Sequence, residues 1–385
     1  MNILVIIANP FTHDSRVLNE AKSLVKAGFK ITVLAWDSYK ENALIEKRDG
    51  INIVRIRNTE LSDLLHYGVI RLPFWYRAAY NKAIELNKEY KFSLVHCHDL
   101  TTLPIGIRLK KKIGCPLIYD AHEIYVYMLR ETEYPLNWLA RYFIWKERKI
   151  LKYADKIITV SEPLKEYFSS ITNKPVTIIM HCKPLQNVVY EHTNNNKFTI
   201  IYLGGLYESR SILRIIEIVK ELPDVCYIIG GTGLPTYVDK IRCKILNAPN
   251  IYFVGQISEA EVLPMTKQAD AVVCVVNPKD AYQRIGISNK IFEAMVCGRP
   301  ILASKDTYIG ELVDREKCGF ALPYTKNDLK DAIVRLRDHT ELREELGKNA
   351  MNAAIGKYNW EKESEKLIEI YENILFCSHL SRVSN

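Results

Sequence analysis

Lys290 and Glu293 stand one helical turn apart in GISNKIFEAMVCGRPILAS (286–304), just behind a Gly-Ile-Ser-Asn entry. Residues at that separation lie side by side on a helix. A carboxylate offers two oxygens at the spacing of vicinal ribose hydroxyls, while a lysine and the amides of a helix start meet a phosphate. Ser288 or Asn289 is the natural cap. The bland alternative is a surface Lys–Glu pair worth about 0.2–0.5 kcal/mol. GGLYESRS (204–211) has matching chemistry. Gly204 and Gly205 follow an apolar run and open a helix, glycines admit a ligand to the backbone, and Arg210 can grip two phosphate oxygens at once. GGTG (230–233) repeats the pattern. The chain has no Asp-x-Asp pair to bridge a diphosphate through a metal. Cationic side chains and helix amides must then balance it.

The first half carries different groups. In NPFTHDSRV (9–17), Asp14 caps the next helix, with His13 and Arg16 at its mouth. This is either plain capping with a solvated arginine or a polar rim facing a ligand. HCHD (96–99) puts His96 and His98 on one face of a strand end, a metal-like spacing. No further Cys or His at ligand spacing completes the set, so no metal is assigned. DAHEIY (120–125) closes a strand with Asp120, His122 and Glu123 at its carboxyl end, where parallel sheets present catalytic groups. Against this stands the ordinary case of a structural histidine.

These groups need a scaffold. Apolar runs at 3–9, 30–36, 93–98, 116–122 and 156–161 alternate with helical patterns, and the alternation restarts at 198–204, 226–231, 251–255, 271–276 and 300–304. Continuous apolar runs separated by helices predict parallel sheets covered on both faces. The expected architecture is α/β: two doubly wound, Rossmann-like domains facing across a cleft, with ligands at the carboxyl ends of the strands. Residues 1–183 form the first domain, the polar stretch 184–197 a linker, 198–360 the second domain, and 361–385 a final helix. That helix bears an apolar stripe of Leu367, Ile370, Tyr371, Ile374 and Leu375.

The 385 residues, 48% hydrophobic and 25% charged, suit a folded chain of two domains. No apolar run reaches the roughly 20 residues of a membrane span. MNILVIIANP lacks a basic region and a cleavage site, so it reads as a strand and not as a signal peptide. Nine cysteines without a CxxC pair predict free thiols. The net charge of +8 favours an anionic partner, but no basic-aromatic motif points to nucleic acid. RLPFWYRAAYNKA (71–83) and WLARYFIWKERK (138–149) mix aromatic and basic residues. They read either as domain core with a solvated rim or as a surface for anionic lipid. The expected location is cytoplasmic, with peripheral attachment to the inner face of the membrane as the second possibility.

Over nearly its whole length the chain resembles the retaining, family-four glycosyltransferases of the two-Rossmann "B" fold. The resemblance runs from NPFTHDSRVLNEAKSLVKAGFKITVLA through LVHCHD, IYDAHEIY, ADKIITVSEP, YLGGLYESRSI, IIGGTG, FVGQIS and NKIFEAMVCGRPILAS to the final YNWE. It implies that the last helix crosses back to the first domain. It implies that Glu293 holds the donor ribose, Arg210 the diphosphate, and His122 the region of the anomeric centre. Gly204 and Gly205 would lie near the phosphates, and Ile257 would offer a backbone contact to the base. Gly205 stands where many members have arginine, and His181 where asparagine is common. The first glutamate of the family's pair is replaced by Ile285, which leaves the amides of Gly286, Ile287 and Ser288 to face the sugar.

The resulting expectation is a hexosyltransferase acting on a nucleotide diphosphate sugar, UDP favoured over GDP, with no cofactor. The acceptor would be a glycan or lipid-linked hydroxyl in cell-surface polysaccharide or glycoconjugate synthesis. His13, Asp14, Arg16 and His98 are the acceptor-side candidates. The rivals are an inactive subunit that steadies a partner transferase and a nucleotide-sugar epimerase.

Overall fold

The structure, a computed structural model, describes residues 1–12, 14–57, 68–127, 137–185 and 189–383. It divides into two compact units: Met1–Met180 with Ser364–Asn385, and His181–Glu363.

The first unit holds an eight-stranded sheet of β1 (Asn2–Ile6), β2 (Lys30–Asp37), β3 (Ile45–Arg48), β4 (Ile51–Arg57), β5 (Leu94–His98), β6 (Leu117–Ala121), β7 (Lys156–Thr159) and β8 (Val176–Ile178). Its order is β3-β4-β2-β1-β5-β6-β7-β8. All pairings are parallel except β3 with β4. That antiparallel edge departs from the all-parallel expectation. IEKR has no apolar run, because an exposed edge strand buries neither face. In contrast, β5 and β6 are buried along their whole length, as strands covered by helices must be.

The second unit holds β9 (Phe198–Leu203), β10 (Val225–Gly230), β11 (Ile251–Gly255), β12 (Ala271–Cys274), β13 (Ile301–Ser304) and β14 (Gly319–Leu322). They form a parallel sheet in the order β11-β10-β9-β12-β13-β14. Chain direction across the sheet reverses between β1 and β5 in one unit and between β9 and β12 in the other. At such switch points the loops part and leave room for a ligand.

The helix Ser15–Lys26 ends against Gly28, whose φ of 91° is left-handed and lets Gly28 N and Phe29 N close the last turn on Val25 and Leu24. The final helix, Trp360–Val383, contributes its residues from Ser364 onward to the first unit. Leu367 and Tyr371 of its stripe are fully buried there, and Tyr371 packs its ring 5.7 Å from Phe29.

Candidate functional site

In the second unit, the loop after β9 and the helix Asn289–Val296 form one cluster. Gly204 leaves the strand at φ 138°. A side chain there would press on the Lys290 ammonium, 3.1 Å from the Cβ position. Tyr202 donates from its hydroxyl to the Gly205 carbonyl at 2.5 Å, and its ring lies 4.5 Å from Lys290 Nζ. One tyrosine thus fixes both the loop and the lysine. Arg210, half-buried at the end of the following 3₁₀ turn, is near enough for its charge to act on Lys290. Burial, then Arg210, lowers the Lys290 pKa to about 8.

Lys290 and Glu293 are both buried, at 8% and 7% exposure, so the surface-pair reading does not hold. Nor do they pair with each other. Glu293 Oε1 lies 3.3 Å from the ammonium of Lys183. Ser288 occupies the cap position, yet its side chain makes no capping bond. That corrects the expected side-chain cap. The helix start is closed only by Ile291 N on the Ser288 carbonyl at 3.1 Å. Gly286, Ile287 and Ser288 are half-buried between the short helix Ala281–Ile285 and this one. Ile257, after β11, has its Cγ2 3.4 Å from where a Cβ on Gly230 would stand.

GGTG is used differently from GGLY. Gly204 N donates to Gly230 O at 2.9 Å and Leu206 N to Thr232 O at 2.8 Å. A Cβ on Gly231, at φ 137°, would overlap the Gly204 carbonyl. The second glycine loop is therefore needed for backbone to pass backbone, supporting the first loop from behind.

In the first unit, Asp14 caps the helix Ser15–Lys26 through Val17 N at 3.3 Å and accepts from Asn9 Nδ2 at 2.9 Å. Arg16 Nε is 3.5 Å from Asp14, half-exposed. Its pKa is raised: burial opposes the charge, but Asp14, Asp99, Glu123 and Asp120 together outweigh it. His13 lies outside the described residues.

His98 and His122 meet at the carboxyl ends of β5 and β6, with Nδ1 of His98 3.3 Å from Nε2 of His122. Asp120 Oδ2 is 3.4 Å from His98 Nδ1, 3.6 Å from His122 Nε2 and 3.7 Å from His96 Nε2. His96 turns its Nδ1 to the Tyr371 hydroxyl at 2.5 Å. Glu20 reaches His98 from the first helix at 3.8 Å. Burial, then the neighbouring Asp120 charge, pushes the Glu20 carboxyl well up. The ligand atoms of Glu20, His96, His98 and Asp120 all lie within 4.8 Å of one another. Sequence spacing missed this convergence because the two carboxylates come from other elements.

Asp99 was also missed as a candidate in its own right. It sits at φ 63° directly after β5. Burial, with Glu123 and Asp120 adding to it against Arg16, raises its pKa to about 7. A carboxyl titrating near neutrality at a strand end is suited to proton transfer. Its adjacency to His98 in HCHD was the available signal.

With this geometry in hand, comparison with known proteins identifies the chain. Residues 15–182 match Glycosyltransferase Family 4, and residues 197–339 match Glycosyl transferases group 1. The chain is a glycosyltransferase, an enzyme of the hexosyltransferase type, with its first half matching family four and its second half group 1. An uncharacterized glycosyltransferase of Methanocaldococcus jannaschii is 23% identical over 349 residues, 89% of each chain. The phosphatidyl-myo-inositol mannosyltransferase of Mycobacterium tuberculosis is 28% identical over 188 residues, 46% of this chain and 47% of its own. Among solved structures, sucrose-phosphate synthase from Thermosynechococcus elongatus superposes with a TM-score of 0.83 at 17% identity, covering 98% of this chain and 100% of that one. HepE of Anabaena, in complex with UDP-glucose, gives 0.74 at 17% identity, covering 97% and 100%. Both share the two-Rossmann fold.

Proposed function

We propose that the enzyme is a retaining transferase that takes a hexose from a nucleoside diphosphate sugar, UDP before GDP, and passes it to a hydroxyl of a glycan or lipid-linked acceptor. The product would be cell-surface polysaccharide or glycoconjugate. The observation that carries this reading is the buried pair behind the first glycine loop: Lys290 beside Gly204, and Glu293 one turn further in. Lys183 compensates Glu293, while the buried Lys290 ammonium beside the glycine loop, with the Arg210 charge acting on it, suits an anionic ligand. The UDP-glucose complex of HepE is the structural precedent for the donor.

In this reading Glu293 accepts from the ribose hydroxyls. Arg210, Lys290 and the amides of Gly204, Gly205, Gly286, Ile287 and Ser288 face the diphosphate and sugar, and Ile257 lies by the base. The acceptor hydroxyl attacks C1 from the face the diphosphate leaves. Its proton passes to a diphosphate oxygen as the C1–O bond breaks, so no side-chain nucleophile is needed. His122 serves the donor sugar, while Asp14, Arg16, His98 and His13 serve the acceptor. The cations stabilise the charge that builds on the leaving group without a divalent metal or any cofactor.

The aromatic-basic segments serve both readings that their sequence left open. Trp75 is buried and stacks on Trp36 at 5.1 Å, and Phe143 is buried. Phe74, Tyr142 and Trp145 are 41%, 45% and 54% exposed. Lys146 lies 5.6 Å from the Tyr142 ring, and Lys149 4.7 Å from that of Trp145. Exposed rings flanked by ammonium groups suit the boundary of an anionic membrane, where a lipid-linked acceptor would be met. No helix among the described residues is long and apolar enough to cross a membrane.

A thermal-shift screen of UDP-, GDP- and ADP-hexoses tests the donor reading, because a ligand that binds the native state raises the melting temperature. UDP-hexoses should give the largest rise. No rise with any nucleotide sugar would defeat the reading.

A further inference from the structure

Lys183 is a lysine that nothing in the sequence singled out, and its side chain is 11% exposed. Its ammonium is 3.3 Å from Glu293 Oε1 and 3.6 Å from Glu259 Oε1. The two carboxylates are not equivalent, since the side chain of Glu293 is 9% exposed and that of Glu259 is 55% exposed. The main chain around the lysine is pinned: Trp360 N donates to the Lys183 carbonyl at 3.2 Å, and Leu185 N donates to the Glu361 carboxylate at 3.2 Å. Cys182 beside it is buried. The backbone is thus anchored at the start of the last helix while the side chain reaches the buried carboxylate.

We propose that Lys183 is a positioning residue for the nucleotide: its ammonium holds the Glu293 carboxylate in one rotamer, so that it accepts from both vicinal hydroxyls of a ribose and disfavours a 2′-deoxy sugar. The inference rests on Glu293 being the ribose carboxylate. An ionised carboxylate has only acceptor sites, which match two donating hydroxyls. Without the ammonium 3.3 Å from Oε1 the carboxylate is free to leave that rotamer, and it then accepts well from one hydroxyl only. The cost falls on the diol and not on the diphosphate, which the Lys290 side of the cluster faces.

The test is calorimetric titration of UDP and GDP, each beside its 2′-deoxy counterpart, into the wild-type chain, Lys183→Met, Lys183→Arg and Glu293→Gln. The wild type should prefer the ribonucleotide by roughly tenfold or more. Lys183→Met should bring the two sugars within about threefold, with deoxynucleotide affinity within about threefold of wild type, which also shows that the variant is folded. Lys183→Arg should keep the preference. Should Lys183→Met fail to fold, Lys183→Gln takes its place in the same comparison. Wild-type discrimination in the Met or Gln variant would overturn the proposal, since the lysine would then only tie down the chain. Equal loss of both sugars would also overturn it, since the lysine would then act on phosphate. If Glu293→Gln also leaves discrimination intact, or neither nucleotide binds the wild type, the ribose reading itself fails. Loss of discrimination in Glu293→Gln but not in Lys183→Met removes the role of Lys183 alone.

Discussion

His98 and His122 lie edge to edge, centroids 5.6 Å apart and planes 8° from parallel. The short approach of Nδ1 to Nε2 means that one ring donates and the other accepts, so the tautomer of His122 depends on His98, on Asp120 beside both rings and, through His98, on Glu20. His122→Ala should therefore lower turnover by roughly 10²-fold while donor diphosphate affinity changes little. Initial-rate kinetics beside UDP titration separates the two. Wild-type turnover in the variant would leave the histidine a structural role only.

Glu293→Gln keeps the shape but loses the charged acceptor. Nucleotide affinity should fall by about 1.5–3 kcal/mol, the range for hydrogen bonds to charged groups. Calorimetry with UDP measures it. An unchanged dissociation constant would show that the ribose is held elsewhere.

The leaving diphosphate is assigned to Arg210, Lys290 and amides. Transfer in metal-free buffer with excess EDTA should retain most of its rate, and Arg210→Ala should lose it. Arg210→Lys should recover only part, because an ammonium cannot reproduce a planar two-point grip. A rate that collapses with chelator and returns with manganese or magnesium would contradict the assignment.

Lys290 should give the site a pH dependence. Its pKa is lowered from the ordinary 10.5 to about 8, so the free enzyme loses this charge as pH rises through 8. Diphosphate affinity should then fall between about pH 7.5 and 9, by up to tenfold per unit, and Lys290→Arg should flatten the profile. The stability effect has the opposite sign. Between about 8 and 10.5 the unfolded chain binds one proton more at this residue than the native chain, so this residue's contribution to stability rises with pH there. Titrations at several pH values, beside urea melts, check both signs.

Most strands could be read in advance because they are buried on both faces and their apolar runs are continuous, as in β1, β9 and β13. The edge strand β3 could not, because pairing alone makes IEKR a strand. The glycine loop at Gly204 and the basic-acidic helix at Lys290 were legible because their groups lie close in sequence. Glu20 and Lys183 were not. Glu20 looks like an ordinary helix carboxylate in NEAKSLVKAGF, and only the fold buries it beside His98 and His96. Lys183 lies at the edge of a polar linker, and its reach to Glu293 crosses more than a hundred residues of sequence. Local pattern finds a site's near-sequence half, and the fold supplies the charges that complete it.

The anomeric configuration of the transfer product tests the central claim most directly. A UDP-α-hexose that stabilises the enzyme is incubated with an acceptor glycan in EDTA, and the anomeric proton of the product is read by NMR. The account predicts an α-linked product, formed without metal, with UDP released in equal amount. A β-linked product would contradict attack from the departing face, and release of UDP and free sugar with no transfer to any acceptor would contradict the transferase reading.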